Sequence, residues 1–314
     1  MDTSKITAAD IMTRRLAVTT PDTHVFDAVE RLISQRVSGL PVVDRSGNFL
    51  GRFSERTAIA ALDLTTILAN SRVATQMTHV CAADIVDRSG PVLKSSQDVF
   101  ESAGELIAHK VSGAPVIDPD GTLRGIFSEQ SAMHVFIGLC WEQLPSSQVT
   151  AWLDRSEERK IDEHTGLGEI LDRFQNTPFR RLMVMHGPKL IGQITRLNAL
   201  QAALEITREP METSRLLSGG HQIGSKATVQ TWMQREAVAT THDADVLGIA
   251  QLFLRSAARQ LPVLDGQRLD GQISRSDLLR AIQRFFPDNV SSESGVQTLY
   301  LTSVHKRDAY SVMK

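Results

Sequence analysis

The stretch Ser38–Ile59, SGLPVVDRSGNFLGRFSERTAI, decides the architecture of this 314-residue chain. Leu40 to Val43 is a short, almost wholly apolar run, the pattern of a buried strand. Asp44-Arg45-Ser46-Gly47 is a turn signal, and Asn48 to Phe53 reads as the returning strand. Ser54 stands where a helix N-cap belongs, with Glu55 behind it and Ala58 to Leu62 filling the helix. Upstream, Val25, Ala28, Val29, Leu32 and Ile33 recur at helical spacing, which predicts an amphipathic helix. The unit is β-α-β-β-α, preceded by a short helical lead-in around Asp10-Ile11-Met12.

The stretch returns three times. It recurs closely as SGAPVIDPDGTLRGIFSEQSAM from Ser112 to Met133, and more loosely from Arg180 (RRLMVMHGPKLIGQITRLNAL) and Arg259 (RQLPVLDGQRLDGQISRSDLL). All four copies share G-x-x-[ST], at Gly51/Ser54, Gly125/Ser128, Gly192/Thr195 and Gly271/Ser274. These glycines lie 74, 67 and 79 residues apart. The lead-in recurs as Asp84-Ile85-Val86 and Trp232-Met233. Such a period marks a repeat array. The expected spans are 7–64, 80–138, 149–206 and 228–286, followed by a tail, 287–314, that holds Tyr300 and Tyr310. One unit buries too little surface to be stable alone, so neighbours are expected to pack in pairs, repeat 1 on 2 and repeat 3 on 4. Arg208–Ala227 reads as a linker. Within it, Gly219–Lys226 misses the phosphate-loop motif because Ser225 precedes Lys226.

Composition narrows the function by exclusion. Lys plus Arg number 34 against 36 Asp plus Glu, so no broad basic face is available for nucleic acid. Cys81 and Cys140 belong to no C-x-x-C motif. The first residues lack the apolar core of a signal peptide, and the longest apolar-rich run, Ala132–Trp141, is roughly half of a membrane span. These features point to a cytoplasmic protein without a membrane span. His242-Asp243-Ala244-Asp245 reads as a strand-to-helix turn, not a metal site. G-x-S-x-G and H-E-x-x-H are absent, so neither catalysis nor a metal is expected.

The core S-G-L-P-V-V-D…G-x-x-S, with its Asp10-Ile11-Met12-Thr13 lead-in, resembles the CBS domain. The resemblance implies an α/β (α+β) fold of four β-α-β-β-α repeats paired into two Bateman modules, arranged as a flat disc. Four copies in one chain is similar in layout to the γ subunit of AMP-activated protein kinase. It implies clefts for a regulatory adenine nucleotide (AMP, ADP or ATP), with no cofactor required. In the family an Asp three residues after the cap Ser or Thr holds the ribose diol, since a carboxylate offers two acceptors to two hydroxyls. Only repeat 4 keeps it, as Ser274-Arg275-Ser276-Asp277; Thr57, Ser131 and Asn198 replace the Asp elsewhere. Capping by Ser274 and Asp277 is the competing reading of that pair.

The resemblance therefore implies a nucleotide at the repeat 3/repeat 4 cleft, held by Asp277 at ribose and by Ser274 and Ser276 at phosphate. Ile161 and Thr165 are implied from the first strand of repeat 3, and Arg181 and Arg259 supply charge beside Arg180. Arg275 is expected to point to solvent. Thr195 and Asn198 form a weak second site. The expected partners are the nucleotide and an effector protein or a second copy of the chain. The alternative is an interaction scaffold whose degenerate clefts bind nothing.

Overall fold

The computed structural model describes residues 6–62, 79–140, 149–213, 228–235, 238–256 and 258–285. Gly219–Lys226 and the tail 287–314 with its tyrosines lie outside the described residues. Repeat 1 comprises α1 (Ala8–Ile11), α2 (Val25–Gln35), β1 (Gly39–Val43), β2 (Phe49–Ser54) and α3 (Glu55–Ala61). Repeat 2 has a one-turn 3-10 lead-in at Ala82–Ile85, then β3 (Leu93–Lys94), α4 (Val99–Ala108), β4 (Gly113–Ile117), β5 (Leu123–Ser128) and α5 (Glu129–Cys140). Repeat 3 follows a 3-10 lead-in at Val149–Trp152 with β6 (Lys160–Asp162), α6 (Leu167–Asn176), β7 (Arg181–His186), β8 (Lys189–Thr195) and α7 (Arg196–Thr213). Repeat 4 runs α8 (Val229–Trp232), β9 (Thr240–Thr241), α9 (Val246–Arg255), β10 (Gln260–Asp265), β11 (Arg268–Ser274) and α10 (Arg275–Phe285).

The repeated glycine is explained by a close approach. In each repeat the lead-in of its sequence partner crosses the second strand where a side chain would stand. A Cβ on Gly125 would lie 2.6 Å from Met12 Sδ and 2.8 Å from the Thr13 carbonyl; one on Gly51 would lie 2.5 Å from Val86. Gly192 meets Met233 and Gln234 in the same way, and Gly271 meets Leu153 and Asp154. The crossing backbones then pair one residue on, at Thr13↔Ile126, Arg52↔Asp87, Gln193↔Gln234 and Asp154↔Gln272. Lead-ins are thus exchanged within the pairs 1/2 and 3/4. In the second pair β8 also joins β11 at Lys189↔Arg268, giving one six-stranded sheet in the order β6-β7-β8-β11-β10-β9.

The apolar cores pair differently from the expected 1-on-2 and 3-on-4 packing. One core joins repeat 1 to repeat 3, with α2 and α3 against α6 and α7 and with Leu32, Phe53, Phe174 and Leu200 inside. The other joins repeat 2 to repeat 4, with α5 against α9 and α10 and with Phe127, Phe136, Phe253 and Leu279 inside. Sheets and lead-ins hold each module together; helices hold the two modules to each other. The resulting contacts close a ring of four repeats.

Asp245 caps α9, accepting from the Gly248 N–H at 2.6 Å, so His242–Asp245 is a turn. Among the described residues no cluster of metal-ligating side chains occurs, and no helix is long and apolar enough to cross a membrane.

The glycine approach makes a direct prediction. Gly125→Ala drives a methyl into the Thr13 carbonyl, which cannot rotate away. Overpacking of this kind costs about 1–3 kcal/mol. Thermal unfolding should show a loss of several degrees, while the same change at Gly138, which has open space beside it, should leave the melting temperature nearly unchanged.

Candidate functional site

Each second strand ends in a Ser or Thr that caps the next helix through the residue three positions on, reciprocally in repeats 1, 3 and 4. Thr57 N–H donates to Ser54 Oγ at 3.2 Å and Ser54 N–H donates to Thr57 Oγ1 at 2.8 Å. Ser128 pairs with Ser131, and Thr195 N–H donates to Asn198 Oδ1 at 3.2 Å. In repeat 4, Asp277 Oδ2 accepts from Ser274 N–H at 2.9 Å and Ser274 Oγ–H at 2.6 Å, while Oδ1 accepts from Arg280 at 2.9 Å. A hydroxyl or an amide performs this cap in the other three repeats. The negative charge of Asp277 is therefore surplus to capping.

The residue after the cap is buried in every repeat, and it is always charged: Glu55, Glu129, Arg196 and Arg275, each less than 9% exposed. Module 1 contributes the two carboxylates and module 2 the two guanidiniums. Arg275 does not point to solvent as expected. Its terminal nitrogen donates to the carbonyls of Phe253 and Ser256, both at 3.2 Å, at the end of α9. Arg196 does the same with Phe174 and Thr177 at the end of α6, at 3.0 and 2.9 Å. A helix C-terminus carries partial negative charge, which offsets the unfavourable place of an arginine at the start of its own helix.

Bonds from this layer cross between modules. Arg180 donates to the Lys110 carbonyl at 2.9 Å, Arg275 to Gln130 Oε1 at 3.3 Å, and the Ser276 hydroxyl to Glu129 Oε1. Within module 1, Ser38 and Ser112 touch at 3.2 Å between their hydroxyl oxygens. Burial lowers Arg181 to about 10, with Arg259 adding repulsion, and lowers Arg196 to about 10 against the opposing pull of Glu55. Burial raises the Glu55 carboxyl, and Arg259, Arg180 and Arg196 only partly offset it.

Two cavities flank this layer. One, of about 520 Å³, lies on the module 1 side and is lined by Arg52, Ser54, Glu55, Ser128 and Glu129 with Arg180 and Arg259. The other, of about 1550 Å³, lies on the module 2 side. Nine cationic side chains line the larger one against four carboxylates, so its field favours an anion. Ser274, Ser276 and Asp277 open onto it together with Arg181, Arg259, Thr195 and Asn198. The Arg259 guanidinium has no hydrogen-bond acceptor among the described residues, which leaves its donors available to a ligand.

Residues 8–64, 82–138 and 229–284 match the family profile described as CBS domain. The chain belongs to the CBS-domain family. The stretch between the second and third matches carries the same β-α-β-β-α order in the structure. Sequence relatives with CBS domains include CBSX2 of Arabidopsis thaliana, 29% identical over 148 residues, covering 41% of this chain and 62% of that protein. The 5'-AMP-activated protein kinase subunit gamma-3 of Homo sapiens is 24% identical over 188 residues, covering 58% of this chain and 38% of the subunit. The chain thus spans less than two thirds of both relatives. The solved structure of MJ1225 from Methanocaldococcus jannaschii has the same fold, with a TM-score of 0.75 at 17% identity over 88% of this chain and 99% of that one.

Two residues implied by the CBS resemblance fall elsewhere. Ile161 is in the repeat 1/3 core, 4% exposed, and neither it nor Thr165 lines the larger cavity. Ile161 lies in β6, an edge of the six-stranded sheet on the far side of β7 and β8 from the strands of repeat 4, and Thr165 follows it in a turn whose carbonyl accepts from Val229 N–H of the repeat 4 lead-in. The cleft wall comes instead from the repeat 3 lead-in, Ala151, Trp152, Leu153 and Asp154, because that lead-in is what crosses Gly271. The charged position after each cap was readable by aligning the four copies, where Glu, Glu, Arg and Arg stand in one column.

Glu55 gives this layer a pH signature. A carboxyl raised above 4.5 holds its proton more tightly in the folded chain than in the unfolded one. Its contribution is complete below the unfolded value and is lost as pH rises through the folded one. A melting series across that window should show a component of declining stability that Glu55→Gln removes; identical pH profiles would refute it.

Proposed function

We propose that the chain is a regulatory, energy-sensing protein that binds an adenine nucleotide of the AMP or ADP type in the repeat 3/repeat 4 cleft. The observation that carries this reading is the company Asp277 keeps. Its surplus charge stands at the start of an 11-residue helix, beside Ser274, facing a cavity rich in arginine. Trp152 and Leu153 give the cleft an apolar wall for a nucleobase. Asp277 offers acceptors to ribose hydroxyls, displacing Arg280. Ser274, the positive dipole end of α10, Arg181 and Arg259 receive the phosphate end. Ser276 joins them once its bond to Glu129 opens. Thr195 and Asn198, across the cavity, form a weaker second position, since an amide oxygen lacks the carboxylate's charge.

A nucleotide seated there touches the lead-in of repeat 3 and the helix start of repeat 4. It favours whichever packing of those repeats fits it, a population shift that an effector protein or a second copy reads. Likeness to a kinase subunit whose name records activation by AMP supports the choice of ligand class.

Asp277→Asn is the discriminating variant, because Asn198 already performs the same cap in repeat 3. The variant should melt close to wild type. Saturating AMP or ADP, at about 100 times Kd, should stabilise wild type by about 2.7 kcal/mol and Asp277→Asn much less. If none of AMP, ADP or ATP raises the wild-type melting temperature, the scaffold reading replaces this one.

A further inference from the structure

The Ser276 hydroxyl is already occupied. It donates to Glu129 Oε1, which reaches it from repeat 2, in the other module. The same carboxylate is the largest favourable charge acting on Arg180 and also favours the charged form of Arg275. It is 6% exposed and lines both cavities. One buried anion of the protein therefore sits on donors that an incoming anion needs.

The arrangement is not repeated on the other side of the ring. Glu55 occupies the equivalent position in repeat 1, yet it has no hydrogen-bond donor among the described residues. The position matching Ser276 in repeat 3 is Leu197, which carries no hydroxyl. The contact is thus confined to the repeat that also keeps the Asp. Glu129 is the first residue of α5, and α5 packs against α9 and α10 in the repeat 2/4 core. Its carboxylate is thus attached to a helix start that is part of the seam between modules.

We propose that Glu129 is a built-in competitor for the anionic group of the ligand. A phosphate entering the cleft takes Ser276 and the neighbouring arginines from the carboxylate, and the released start of α5 carries the event into module 1. This rests on the cleft assignment made above but not on the ligand being a nucleotide, because the competition is between anions. It also sets a charge preference. Each added phosphate charge must share the space with this carboxylate, so short phosphates are favoured over long ones.

The test uses the intact chain with two probes, pyrophosphate and AMP, titrated calorimetrically into wild type and Glu129→Gln. Glutamine still accepts from Ser276, so the contact survives while the charge is removed. Couplings between sites usually amount to about 5–150-fold, and Glu129→Gln should bind pyrophosphate at least about fivefold more tightly. Equal or weaker binding, or no binding to either protein, overturns the proposal. A second measurement needs no variant: pyrophosphate added to wild type should change amide hydrogen exchange along Glu129–Cys140, and unchanged exchange there overturns it equally. If pyrophosphate shows the gain while AMP binds neither protein, the nucleotide reading fails and the competitor stands. If AMP binds but the gain is missing, the reverse holds.

Discussion

Four buried charges, one at the start of each equivalent helix, have to be neutralised where the repeats meet. Glu55 and Glu129 come from the first module, and Arg196 and Arg275 from the second. Buried ion pairs add little net stability, since desolvation offsets most of their attraction, but a buried charge left facing its own kind is strongly unfavourable. Module 1 docked on another module 1 would bring carboxylates together, and module 2 on module 2 would bring guanidiniums together. In the two halves of one chain, Glu55 lies in the field of Arg180, Arg196 and Arg259, and Glu129 in that of Arg180 and Arg275. The apolar cores span the same seams, joining repeat 1 to 3 and repeat 2 to 4.

Binding capacity grows out of the same layer. Nine cationic side chains line the larger cavity against four carboxylates, so charge balance there is incomplete, with Arg180, Arg181 and Arg259 among the excess. A ligand anion completes it. The lead-ins supply what charge cannot: by crossing the partner's glycine, the segment Ala151–Asp154 becomes a wall of the cleft that Asp277 guards. The feature that pairs two repeats is thus also the feature that shapes the site between them.

Much of this was legible in the chain. Strand, turn and helix in each repeat follow from apolar runs, Asp-x-x-Gly turns and capping residues, all of which act within a few residues. Ser274, Asp277, Arg181 and Arg259 line one cavity in the structure, and it was the CBS resemblance that grouped them. What escaped were interactions between segments distant in sequence. Arg275 looked misplaced because only its own helix dipole was visible, whereas its partners are carbonyls about twenty residues earlier. Ile161 and Thr165 were drawn to the cleft by resemblance, although the geometry of lead-in exchange puts another segment there. The cross-module bond from Ser276 to Glu129 spans 147 positions, and no local pattern announces it.

The division of labour between sheets and helices has a consequence for how the molecule is made. A chain emerging from the ribosome completes both repeats of module 1, with strands and lead-ins paired, before repeat 3 exists. At that moment the faces of α2, α3 and α5 that will pack on the second module still lack that partner. The repeat 1/3 contacts close only once α6 and α7 have been made and the repeat 2/4 contacts only once α9 and α10 have, so the first module passes through a period as a paired sheet with partly uncovered apolar helices. Folding of the whole is then governed by long-range closure, and the half-made protein is the species for which protection from aggregation matters most.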